Sequence, residues 1–411
     1  MTIERMLRPR ASSARRLGTV ARARYRLTPW WGKVVLVWAL SRLVTTSLVL
    51  VLASVQGANA WTGASPKYTD FATMWDGHWY NIVAIVGYPN VLPITEAGQV
   101  GENAWAFMPG YPVLARLLMG LTGLPWAPVA VFVSVAFSLG TALLFYRLMA
   151  RVQSPATALF SVVLFCVAPL SPILQFAYAE SMYLFFLTLA LYLLLARRYW
   201  LLYPVIAVMA MTRPSGLAFA LALGLHVIYR FATRSRDPFA IRERILAASV
   251  TVFSALMGLA WPVAAWAATG ELTAYTDTEL AWRAPYIGYQ ELVPFTAWFQ
   301  SGVWWLGVPW GIVAVTTLIL TFAVLLFTPA VRRLGVDLRL WLASYGLYLL
   351  AVFFPQSSTF RLLMPMFPLL GAAALPRSRV YRVSIVLLSV AGQWGWLLIC
   401  WRVDGYDWTP P

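Results

Sequence analysis

The stretch Tyr68-Thr69-Asp70-Phe71-Ala72-Thr73-Met74-Trp75-Asp76-Gly77-His78-Trp79-Tyr80 gathers two carboxylates, an imidazole and several large aromatic rings within a chain that is otherwise strongly apolar. Carboxylates so placed suit the removal of a proton from an attacking hydroxyl and the orientation of a polar substrate. Aromatic faces stack on sugar rings or sit at a membrane surface. The chemistry these residues predict is sugar transfer.

Asp76 is the candidate general base, and inversion at a sugar carbon needs only one. Its other reading is the N-cap of a helix beginning at Gly77, since aspartate is a favoured cap. Asp70 lies six residues earlier, about 600° around a continuous helix, so only a bent segment would bring the two acids together. Asp70 is read as an acceptor or metal contact or as a solvated carboxylate. His78 is read as a hydrogen-bonding group or as a metal ligand with the two acids, and no metal-diagnostic spacing is present. Trp75, Trp79 and Tyr80 complete the expected substrate-binding set in this loop.

Further along come Gly87-Tyr88-Pro89, Ala106-Phe107-Met108-Pro109-Gly110-Tyr111-Pro112, Tyr178-Ala179-Glu180-Ser181, Thr212-Arg213-Pro214-Ser215-Gly216 and Phe360-Arg361-Leu362. Tyr178 and Glu180 join the substrate-binding expectation, Glu180 by pairing an arginine or by touching sugar hydroxyls. Arg213 and Arg361 fall at expected outer ends of spans, where an arginine is costly unless it pairs or reaches water. A lipid-linked phosphate and the lipid headgroups are its two available partners, and guanidinium binds phosphate through two parallel hydrogen bonds. Arg42 and His226 lie inside apolar runs and read as structurally paired residues.

Positioning these groups falls to membrane helices. The chain has 411 residues, 61% hydrophobic and only 11% charged, with a mean hydropathy of +0.71. That composition excludes an ordinary soluble enzyme. The net charge of +16 is concentrated in an N-terminal arm and in short loops between apolar runs, which points to cytoplasmic anchoring against anionic lipid and not to nucleic acid. Cys166 and Cys400 both sit in apolar stretches, so neither a disulfide framework nor a zinc spacing is indicated.

Residues 1–33 carry Arg5, Arg8, Arg10, Arg15, Arg16, Arg22, Arg24, Arg26 and Lys33 against Glu4, which marks a cytoplasmic arm and places the N-terminus inside. The transmembrane domain is expected over 34–411. The apolar run 34–55 is long enough to cross a bilayer and longer than a signal-peptide core, although Ala58-Asn59-Ala60 imitates a cleavage site. Residues 56–125 form a long first outer loop, with an interfacial or partly inserted helix over 106–122. Spans are expected at about 126–149, 156–173, 178–196, 200–213, 214–232, 245–268, 303–328, 338–354, 361–375 and 381–400, about eleven in all with the first. A second large outer loop covers 269–302, and the tryptophan-rich stretches 298–310 and 394–408 are expected as interfacial belts.

Only basic residues enter this topology rule, yet the acids segregate. Asp70, Asp76, Glu96, Glu102, Glu180, Glu271, Asp277, Glu279, Glu291, Asp404 and Asp407 all fall outside, leaving Glu4, Asp237, Glu243 and Asp337 inside. An extracytoplasmic active site follows. No P-loop or dinucleotide fingerprint is visible, in keeping with a lipid-linked donor.

Taken together, the Trp75-Asp76 pair, the Tyr178-to-Ser181 element and Arg213 resemble the PIG-V-type membrane mannosyltransferases of glycosylphosphatidylinositol assembly and, more broadly, polyprenol-phosphate-sugar-dependent transferases of the GT-C fold. The similarity covers about 36–370. It implies an all-α polytopic GT-C enzyme in which Trp75 and Asp76 are essential and Asp76 is the base. It implies polyprenyl-phosphate mannose as donor and a lipid-anchored glycan or glycolipid as acceptor, with no certain cofactor and a divalent metal possible but unsupported. The eukaryotic members follow their arginine with Asn-Gly, where this chain has Pro214-Ser215-Gly216. The arginine- and alanine-rich composition suits a bacterial plasma-membrane protein. The rival classes are a carrier or flippase of lipid-linked sugar and an inactive scaffold of an envelope-glycan complex. A carrier predicts polar groups spread through the membrane depth, whereas the acids here crowd one face.

Overall fold

The computed structural model describes residues 27–403 and 409–411. Most of the expected basic arm over 1–33, together with Asp404 and Asp407, lies outside the described residues. Among those described, regular structure is helical, with a single isolated β-bridge between Ile94 and Val100.

The first helix, α1 (Trp30–Val55), starts after Pro29 and runs 26 residues, about 39 Å at the helical rise. The segment from 56 to 125, expected as the first outer loop, then holds α2 (Tyr68–Ala72), α3 (Asp76–Ile85) and α4 (Gly110–Thr122). The 13 residues of α4 are too few to span a bilayer; the helix buries Tyr111, Pro112 and Ala115 and leaves Val113, Leu117 and Leu121 exposed, as an interfacial helix would. Next come α5 (Trp126–Met149), α6 (Pro155–Val167), α7 (Glu180–Leu195), α8 (Leu202–Ala210), α9 (Gly216–Ala232) and α10 (Ile241–Thr269). The long connection after α10 carries α11 (Ala274–Ala281), α12 (Ala284–Ile287) and α13 (Ala297–Leu306), followed by α14 (Trp310–Phe327), α15 (Pro329–Arg332), α16 (Val336–Val352), α17 (Thr359–Leu362), α18 (Leu369–Ala373) and α19 (Arg379–Cys400). Five helices, α1, α5, α10, α14 and α19, are long and apolar enough to cross a membrane. This is a multi-pass membrane protein.

Proline and glycine account for the departures from the expected spans. The run 361–375 is no continuous helix: Pro365 and Pro368 lack the N–H that a helix interior needs, and the segment breaks into α17, a 3₁₀ turn at Met364–Met366 and α18. The run 200–213 contains only the nine-residue α8 behind a 3₁₀ turn. Within 303–328, Gly307 and Pro309 separate α13 from α14. The run 156–173 ends as a helix at Val167 and continues as a 3₁₀ turn over Ser171–Gln175.

That last break explains Arg42. A helix end leaves its last carbonyls without partners, and buried Arg42 supplies them, donating from Nη2 to the Cys166 carbonyl at 2.8 Å and from Nη1 to the Ser171 carbonyl at 2.7 Å. Gln393 of α19 donates to the Val167 carbonyl at 2.9 Å and accepts from Thr45 at 2.8 Å, so α1, α6 and α19 meet around one broken helix.

Close packing of α9 on α10 rests on two glycines. A Cβ on Gly216 would meet the Gly258 backbone at 2.6 Å, and one on Gly258 would meet the Leu217 nitrogen at 2.6 Å. No larger residue lets these backbones approach so closely.

Asp237, Glu243 and Asp337, the described acids expected inside, collect in one network at the far end of α9. His226 lies between Asp337 (Nδ1 to Oδ1, 2.7 Å) and the Tyr199 hydroxyl (Nε2, 2.8 Å). Arg230 pairs with Glu243 at 3.0 Å and Asp237 at 3.3 Å, and Arg197 also reaches Asp237 at 3.0 Å. Replacing His226 by Phe removes both of its hydrogen bonds and strands two polar groups, so thermal unfolding in detergent should show a loss of about 1–3 kcal/mol. An unchanged melting curve would show the imidazole to be dispensable.

Single cysteines give the topology. Cysteines at exposed position 98 and half-buried position 277, both expected outside, should label from outside intact cells, and one at exposed position 235, expected inside, should not. Labelling at 235 with protection at 98 would reverse the orientation.

Candidate functional site

Asp76 opens α3 as its first helical residue; the cap is Trp75, held at φ 58°, ψ −122°. A tryptophan at positive φ is strained by about 1–3 kcal/mol and persists only where its surroundings fix it. Here they do. Trp75 is buried, its Nε1 donates to the Cys400 carbonyl at 2.9 Å, and its ring packs on Trp61 at 5.1 Å. Trp401 returns the tie by donating to the Phe71 carbonyl at 3.0 Å while packing on Phe176 and Tyr178. The end of α19 thus clamps the segment that turns from α2 into α3. Gly77 completes the fit, because a Cβ there would stand 3.3 Å from both Cβ and O of Ala177. This close approach brings Asp76 alongside Tyr178, whose hydroxyl accepts the Asp76 backbone N–H at 3.3 Å.

The Asp76 carboxylate therefore points away from capping and toward two arginines. Oδ2 accepts from Arg361 Nη1 and lies 3.9 Å from Arg213 Nη2. Glu180, the first residue of α7, accepts from Arg213 through Oε1, which is also 3.5 Å from Arg361 Nε. Four residues from four separate segments form one ring of alternating charge. Each carboxylate faces both guanidiniums, and the formal charges cancel. The ring is largely shielded from solvent, with side-chain exposures of 15% for Asp76, 5% for Glu180, 17% for Arg213 and 10% for Arg361. In such surroundings ion pairing is far stronger than at a wet surface, and removing one partner leaves a charge uncompensated.

Arg213 occupies the bend between α8 and α9, beside Gly110, whose N–H donates to the Met211 carbonyl at 2.7 Å. A Cβ at position 110 would clash with Thr212 Oγ1 at 2.7 Å, so this glycine sets how closely α4 abuts the bend. Arg361 lies on α17, the single helical turn between the breaks at Pro355 and Pro365, with its guanidinium 5.5 Å from the Tyr178 ring centre. Tyr80, one turn into α3, is buried against Phe107 and Tyr111. Burial pushes its phenol well above the ordinary value, with Arg213 the strongest opposing influence, so it enters any chemistry as a neutral hydroxyl.

The remaining expected residues stand apart from the ring. Asp70 is exposed on α2, and the break over Thr73–Trp75 separates it from Asp76. His78 is exposed and meets the edge of Trp61 at 5.7 Å. Trp79 stacks on Phe107 at 5.5 Å and meets Trp282 at 5.6 Å, joining α3 to the loop that carries α11 and α12. In that loop burial raises the Glu279 carboxyl above its ordinary value, opposed by Arg283 and then by a hydrogen bond from Tyr275. Among the described residues, no group of three or more His, Cys, Asp or Glu side chains is placed to hold a metal. Trp401 is fully buried, a packing wedge and not part of an interfacial belt; Trp304, Trp305 and Trp310 are exposed as a belt requires.

No known protein family and no curated protein matches this chain. Several solved structures resemble it. One is ArnT from Cupriavidus metallidurans bound to undecaprenyl phosphate, at 15% identity and a TM-score of 0.48, with 86% of this chain and 62% of that one covered. Another is the oligosaccharyltransferase of Archaeoglobus fulgidus tethered with an acceptor peptide, at 12% identity and a TM-score of 0.43, with 88% and 53% covered. The chain spans about three fifths of the first structure's length and about half of the second's.

Proposed function

We propose that this protein is an inverting, extracytoplasmic glycosyltransferase of the GT-C type that moves mannose from polyprenyl-phosphate mannose to a lipid-anchored acceptor. The observation that carries the reading is the convergence of Asp76, Glu180, Arg213 and Arg361 on one shielded spot. Structural ion pairs alone would not require two acids and two arginines from segments up to 285 residues apart to share one ring. Sugar transfer from a lipid phosphate uses both kinds of group.

In the reaction, the acceptor hydroxyl oxygen attacks the anomeric carbon from the face opposite the phosphate. The bond from that carbon to the phosphate oxygen breaks, and its electron pair stays on the departing polyprenyl phosphate. Asp76 takes the hydroxyl proton as the new bond forms. Arg361 and Arg213 neutralise the charge that grows on the leaving phosphate, a task for fixed donors in a water-poor site. Glu180 holds Arg213 in place and offers its second oxygen to a sugar hydroxyl. Tyr178 fixes the backbone of Asp76, and neutral Tyr80 closes the wall beside it.

A transferase and a carrier handle the same ligand but differ in what they leave behind. Purified protein in liposomes loaded with polyprenyl-phosphate mannose and a phosphatidylinositol-type acceptor should release polyprenyl phosphate in step with acceptor modification. Movement of intact donor between leaflets without release would establish a carrier instead.

A further inference from the structure

The ring holds its own charge balance before any substrate arrives, and this bears on how the donor enters. Asp76 and Glu180 already occupy Arg361 and Arg213. A phosphate entering an already balanced pair of arginines must take the place of a carboxylate. The two carboxylates are not equally displaceable. Glu180 begins a 16-residue helix and is almost entirely enclosed, whereas Asp76 is the more exposed acid, and its partner Arg361 rides on a single helical turn. Two atoms in the ring remain unsatisfied: Glu180 Oε2 and Arg361 Nε are buried and make no hydrogen bond among the described residues. Buried polar atoms left this way are costly, and a ligand that reaches them recovers the loss.

We infer that the donor phosphate and the Asp76 carboxylate compete for Arg361, so that Asp76 is freed to act as base only when donor is bound. The inference rests on the transferase reading and adds to it an order of events. Paired with Arg361, Asp76 has its Oδ2 already engaged as a hydrogen-bond acceptor and turned toward the guanidinium instead of an incoming hydroxyl. Once the phosphate takes the guanidinium, Asp76 Oδ2 is released from Arg361 and is open to the acceptor hydroxyl. Arg361 Nε, unused in the closed ring, gives the guanidinium a second donor for the phosphate. Free enzyme therefore holds its base inactive, and donor binding arms it.

The test is the affinity of farnesyl phosphate, a short polyprenyl phosphate, for the full-length protein in nanodiscs, measured by calorimetry. Asp76→Asn removes the competing charge, so it should bind this probe at least about 10-fold more tightly than the unaltered protein, and adding Arg361→Ala should cancel the gain. Equal or weaker binding by Asp76→Asn overturns the inference. If the asparagine variant melts early, Asp76→Ser makes the same comparison. Assaying transfer with the same preparation separates the two levels: transfer at a near-normal rate by Asp76→Asn defeats Asp76 as base, whereas lost transfer with unchanged probe affinity defeats only the competition.

Discussion

Asp76→Asn should abolish measurable transfer, lowering kcat by about 10²- to 10⁴-fold, the range lost when a general base is removed. Asparagine keeps the size of the side chain and an oxygen that accepts from Arg361, but it cannot hold a proton at neutral pH. Asp76 caps no helix, so the substitution disturbs no cap; its structural cost is the charge lost opposite Arg361 and Arg213. A well-expressed Asp76→Asn protein that forms product at near-normal rate would remove Asp76 from the chemistry. Exposed Asp70, on the far side of the Thr73–Trp75 break, would be the next acid to examine.

Arg361→Ala and Arg213→Ala should each raise the donor KM by about 10- to 150-fold, the consequence of losing one charged hydrogen-bonded contact worth about 1.5–3 kcal/mol. The acceptor KM should move much less. The two variants should differ in stability. Removing Arg213 leaves nearly enclosed Glu180 with only the 3.5 Å approach of Arg361 Nε, an uncompensated acid of the kind that destabilises buried pairs most. Removing Arg361 leaves Asp76, the more exposed acid, within 3.9 Å of Arg213. Kinetics in donor concentration that are unchanged for both variants would return these arginines to an ion-pairing role without phosphate.

The four charged members of the ring were legible in the sequence because a charge at the edge of an apolar run demands an explanation. Their pairing was not. Asp76 and Arg361 are separated by 285 positions, and no local period links them. Asp70 and His78 were expected beside Asp76 in the substrate-binding set, and the strained turn at Trp75 that sets Asp70 apart has no signature in sequence spacing. Trp75 and Trp401 looked like a substrate platform and an interfacial ring. Their buried indole N–H groups, each bonded to a carbonyl on the other's segment, reveal them as the clamp that positions Asp76. The α5 boundaries emerged as expected because a long uninterrupted apolar run has one stable solution in a bilayer. The run 361–375 was misjudged because hydropathy is blind to backbone breaks, and two prolines carried the missing signal, whereas 200–213 is helical over most of its length but short.

The most direct measurement is the product itself. Purified protein supplied with polyprenyl-phosphate mannose and a series of lipid acceptors should yield one acceptor heavier by a single mannose, and NMR of the new linkage should show the anomeric configuration inverted relative to the donor. Retention of configuration would contradict the single-base mechanism built on Asp76. Donor left intact with every acceptor would contradict the mannosyl-transfer reading.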